Sequence, residues 1–170
     1  MRHAFGVRPV TGAMTPIAKD DTIMESRLSV ATAAPASYKA LYAVTNTIRS
    51  SSLPVLLQHL IDLRVSQING CAFCIDMHGK EARHAGESAE RIADLADWER
   101  SDRFDPAERA AFAWAETLTR SLHDRIDGAH RDLQRHFDTD QIGALTMAVA
   151  TINAWNRIGI AQHIVVHEAA

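Results

Sequence analysis

The chain has 170 residues, 46% of them hydrophobic and 23% charged, with a formal net charge of −3. That is long enough for one well-buried core and too short for two ordinary domains. A pI near 6.3 gives no basic excess to recruit nucleic acid, and no apolar run reaches the length of a membrane span.

Residues 1–22 mix Gly, Pro, Thr and charges without periodicity. They read as an N-terminal extension, either a loose tail or an arm that packs on a neighbouring subunit. It lacks the continuous apolar segment of a secretory signal. Residues 23–170 read as a single all-helical domain, entered through an irregular or short strand-like lead-in over 24–34. Ala40, Leu41, Val44 and Ile48 then recur at helical spacing in a helix over 37–49. Leu53-Pro54 marks a new start, and Leu57, Leu60, Ile61, Val65 and Ile68 form an apolar stripe that stops at Asn69-Gly70. A helix over 71–85 follows and closes at Gly86.

Ser88 caps a further helix through Ile92, Leu95, Ala96 and Trp98. Asp105-Pro106-Ala107-Glu108 combines a cap, a first-position proline and a capping-box acid, and opens a helix through Ala110, Ala111, Trp114, Leu118 and Leu122. A shorter helix covers 129–137. Asp138 or Thr139 then caps a long one through Ile142, Leu145, Val149, Ile152, Ile160 and Ile164. No period-2 run lasts long enough for a sheet. The expected fold is all-α, with about six or seven helices.

Both cysteines, Cys71 and Cys74, fall in the Cys-Ala-Phe-Cys segment, with His78 four residues beyond the second. Opening a helix after Gly70, they stand with His78 at i, i+3 and i+7 on one face. Residues three apart on a helix lie about 5–6 Å apart at Cβ, so modest adjustment closes a disulfide. A thiol in the first helical turn feels unpaired N–H groups and the positive dipole end, which favour thiolate, and His78 can exchange its proton. Such a close pair is not the scattered cysteine framework of a secreted scaffold. The cytoplasm is the expected compartment.

Three other readings compete. The two cysteines could be small core hydrophobes. With His59, the same residues could form a Cys₂His₂ zinc set, but three ligands strung along one helix converge poorly on a tetrahedral centre; no metal and no cofactor are expected. A thioredoxin-like site lacks its βαβ surroundings. The other histidines (His3, His84, His123, His130, His136, His163, His167) are scattered and read as solvated surface. Trp98, Trp114 and Trp155 fall at apolar helical positions and read as core. Arg64, inside an apolar helix, reads as the partner of a buried carboxylate such as Glu116.

LRVSQINGCAFCIDMHGKEAR resembles the signature of the carboxymuconolactone decarboxylase-like superfamily, in its alkylhydroperoxidase D-like (AhpD-like) branch. ERAAFAWAETLTR and INAWNR resemble that branch too, so the likeness runs over roughly residues 24–162. It implies a helical fold with the CxxC at the start of a central helix, commonly assembled as a trimer or hexamer. It also implies peroxide reduction, in which Cys74 attacks the hydroperoxide, Cys71 closes the disulfide and His78 belongs to the proton relay. An external dithiol then reduces the disulfide. The decarboxylases of the superfamily work without a CxxC pair, which argues against lactone chemistry here.

One departure stands out. The family's relay glutamate, twelve residues before the first cysteine, is His59 in this chain. A histidine supplies no fixed negative charge. Asp62, three residues on, and Glu116 are the acids that could serve instead. The expected function is thus a thiol-dependent peroxidase. The alternative is a helical oligomer whose cysteine pair senses redox state or is structural.

Overall fold

In the computed structural model, which describes residues 26–163, every regular element among the described residues is helical. In order these are α1 Val30–Ala33, α2 Pro35–Arg49, α3 Val55–Asn69, α4 Ala72–His84, α5 Ala89–Asp94, a 3-10 turn Leu95–Asp97, α6 Pro106–Thr119, α7 Ile126–Leu133 and α8 Thr139–Gln162. The stretch expected to be irregular or strand-like contains a single helical turn, α1. There Ser29 caps by accepting the Thr32 N–H, which brings the described helices to eight rather than six or seven. The 1–22 extension, His3, His167 and the predicted continuation to Ile164 lie outside the described residues.

Helix α3 is the axis of the bundle. Leu57, Leu60, Ile61, Leu63 and Val65 are all buried, a belt wider than the one stripe its sequence predicts. A helix apolar on most sides must be enclosed, and α4, α6 and α8 enclose this one. Its buried polar groups find partners, as burial requires. Gln58 donates to the Leu53 carbonyl and Ser66 to the Asp62 carbonyl. The side chain of Asn156, fully buried on α8, donates to Ser66 and accepts from Asn69, tying the end of α3 to α8.

The caps are local chemistry and follow the sequence closely. Asp105 and Asp138 each close a complete capping box, and Ser88 accepts from Arg91. Helix α7 begins three residues earlier than the predicted 129–137 segment, at Ile126. Among the described residues no helix is long and apolar enough to cross a membrane.

Candidate active site around a cysteine pair

The site begins at Gly70. Its φ of +67° is left-handed, the conformation that terminates α3, and glycine alone adopts it without penalty. The Gly70 and Cys71 N–H groups bond back to the Gln67 and Ser66 carbonyls, so the chain reverses directly into α4. Cys71 is the N-cap of α4 rather than its first residue. Its Sγ accepts the Cys74 N–H at 3.4 Å. Cys74 sits one turn in, and the two are joined as a disulfide with Cα atoms 5.3 Å apart. Both sulfurs are buried beneath α8, where Gly159 leaves room for them.

Cys74 and His78 line a pocket of about 440 Å³, whereas Cys71 lies behind it. Helix α2 contributes Tyr38, Tyr42 and Arg49, α4 adds Phe73 and Met77, and α8 closes the pocket with Trp155 and Gly159. Tyr38 and Trp155 meet edge to face, with ring centroids 5.0 Å apart. Four aromatic rings thus share the walls with polar Thr45, Asn46 and Glu81 around one sulfur and one imidazole.

His78 is buried, and its Nδ1 lies 2.8 Å from Glu81 Oε2. That hydrogen bond is the main reason the Glu81 carboxyl is held below its usual range. Facing an ionised carboxylate, which only accepts, His78 carries its proton on Nδ1 and donates it. Nε2 is then the basic nitrogen, and it is buried without a protein partner. Glu81 escaped the sequence reading although its signal was there, since i and i+3 on one helix are neighbours.

The predicted relay residues part company. His59 approaches the same Glu81 oxygen through Nδ1, at 3.8 Å. Burial and then the Arg49 charge push its pKa down, so it is neutral at pH 7. Asp62 is buried and its charge is already committed to the Arg49 guanidinium. Burial pushes its carboxyl up, with Arg49 opposing. Glu116 lies elsewhere. It accepts Arg64 Nε and Nη2 at 2.8 and 2.6 Å and Trp98 Nε1 at 2.8 Å, the buried pairing expected of Arg64.

Glu116→Ala is therefore expected to lower stability by about 2–4 kcal/mol, because it leaves Arg64 uncompensated. The reactivity of reduced Cys74 should not change. Urea midpoints and thiol titration check this, and slowed thiol chemistry at unchanged stability would return Glu116 to the relay. Among the described residues no group of three His, Cys, Asp or Glu side chains is arranged to hold a metal ion.

An all-helical bundle with a disulfide at the head of one helix and a carboxylate-held histidine a turn below is the frame of a thiol–disulfide centre. Comparison with known proteins gives it a family. Residues 35–117 match the carboxymuconolactone decarboxylase family. The uncharacterized protein YdfG of Bacillus subtilis is 38% identical over 140 residues, which span 82% of this chain and 95% of that one.

A solved structure from Agrobacterium tumefaciens, of a protein of unknown function proposed for AhpD antioxidant defence, superposes with a TM-score of 0.80. It is 38% identical and covers 86% of this chain and 100% of its own. The debrominase Bmp8 superposes with a TM-score of 0.72 at 20% identity, over 78% of this chain and 72% of its own, a likeness of fold alone. The chain belongs to the carboxymuconolactone decarboxylase family, in its AhpD-like branch.

Proposed function

We propose that the protein is a thiol-dependent peroxidase that reduces organic hydroperoxides through a Cys71/Cys74 dithiol–disulfide cycle. The observation that carries this reading is that Cys74 and His78 face one pocket while Cys71 is bonded to Cys74 from behind. His78 takes the Cys74 proton at Nε2. The thiolate attacks the distal peroxide oxygen, the O–O bond breaks, and the alkoxide leaves with a proton as the alcohol. Cys74 is now a sulfenic acid. The Cys71 sulfur displaces its hydroxyl as water and forms the disulfide. An external dithiol then returns both sulfurs to thiols by exchange and is itself oxidised. That supply of reductant suits the cytoplasm. Assembly as a trimer or hexamer belongs to the same proposal, and α8 offers it the exposed Met147 and Ile160.

The pocket's size falls in the usual range for small-molecule sites, about 300–1,000 Å³. Its aromatic walls favour a bulky apolar hydroperoxide over hydrogen peroxide. Stopped-flow mixing of the reduced chain with cumene hydroperoxide should consume two thiols per chain without covalent dimers. It should also run about tenfold or more faster than with hydrogen peroxide, the gain that burying a substrate's apolar body supplies. A single slow oxidation that a dithiol does not convert into turnover would instead favour the redox-sensing pair.

A further inference from the structure

We infer that Glu81 is the positioning residue that holds His78 as the base for Cys74, and that the negative charge this histidine needs comes from within α4 rather than from position 59. The inference rests on the proposed peroxidase reading for its purpose, but its evidence is geometric. Glu81 is the residue whose carboxylate meets His78, at 2.8 Å to Nδ1. The bond fixes the ring and its tautomer and leaves Nε2 free of any protein partner. A carboxylate so placed stabilises the imidazolium that forms when Cys74 gives up its proton.

The surrounding charges leave this role to Glu81. Helix α2 presents Arg49, with Tyr38 and Tyr42 further along the pocket, and α3 presents His59 and Asp62. Asp62 is taken by Arg49. The pocket-lining residues of α8, namely Trp155, Ile158, Gly159 and Gln162, carry no titratable group. His59 has no hydrogen-bond partner for its buried Nδ1, and the same Glu81 oxygen lies 3.8 Å away. Desolvation keeps His59 neutral down to below the ordinary histidine value of 6.5, so at neutral pH it does not compete for the carboxylate. Near neutral pH the Glu81 carboxylate is therefore left to His78.

The test reads the thiol directly, so that its outcome does not depend on turnover. The reduced full chain is alkylated with iodoacetamide across the neutral and alkaline range, and modification of Cys74 is followed by mass spectrometry. Glu81→Gln keeps a hydrogen-bonding side chain at this half-exposed position but removes the charge. It is expected to slow Cys74 alkylation at neutral pH by about 10- to 100-fold. The deficit should close as pH rises, because thiolate fraction changes about tenfold per unit below the thiol's pKa. The melting temperature should stay at the wild-type value.

The double variant His59→Glu/Glu81→Gln returns a carboxylate to within reach of the same ring and should recover most of the rate. A Glu81→Gln profile that superimposes on wild type would overturn the inference. So would a loss equal at every pH that the double variant does not repair, which is what a packing role alone would give. If alkylation follows the expected pattern while cumene hydroperoxide is not consumed, Glu81 keeps its role and the peroxidase reading falls.

Discussion

Exchange of Cys74 for serine is expected to lower peroxide consumption by about a thousandfold or more, because a hydroxyl is far less acidic and far less nucleophilic than a thiol. Cys71→Ser should behave differently. Cys74 faces the pocket and can still attack, so the variant should consume one equivalent of peroxide and stop. The sulfenic acid left on Cys74 has no neighbouring thiol to close on and should be trapped by dimedone, or oxidise further when peroxide is in excess. Quenched-flow peroxide assays with mass spectrometry of the labelled peptide distinguish the two variants. Trapping on Cys71 in a Cys74→Ser chain that keeps its first turnover would reverse the assigned roles.

The second large effect is expected at Gly159. A Cβ there would stand 3.1 Å from Cys71 Sγ and 3.2 Å from Cys74 Sγ, and a disulfide yields little because its two sulfurs are tied to each other. Alanine would gain about 1 kcal/mol of helix propensity over glycine, which offsets much of the crowding. Valine gains less and adds two methyl groups against the sulfurs, so overpacking wins. Gly159→Val should destabilise the oxidised protein by about 2–3 kcal/mol, a fall of about 4–12 °C in Tm for a chain of this size. The reduced protein should lose less, since separate thiols rotate independently, and the variant's disulfide should be the easier one to reduce. Calorimetry on both forms decides it. Equal melting of wild type and variant when oxidised would mean that α8 shifts without resistance.

Much of the architecture was readable residue by residue because its causes are local. Asp105-Pro106-Ala107-Glu108 holds a complete capping box within four residues, and Asp138 does the same with Gln141. The placing of Cys74 and His78 one turn apart needs one helix period and nothing else, and the Asn69-Gly70 stop needs only a left-handed residue, whereas Cys71 caps the helix instead of joining its stripe. The pairing of Arg64 with Glu116 was legible too, since a cation inside an apolar helix must meet an acid. Glu81 sat within the same local rule, three residues from His78.

What no local pattern contained is the choice among partners far apart in the chain. Asp62 pairs with Arg49, thirteen residues earlier, across α2 and α3. Glu116 meets Trp98 as well as Arg64 and does not line the pocket of Cys74 and His78. The pocket exists because α2 and α8 close over α4, and both sulfurs fit beneath α8 because it passes them at a glycine. These are outcomes of packing. Each helix presents several faces, and burial of the apolar ones against each other selects which polar groups end together.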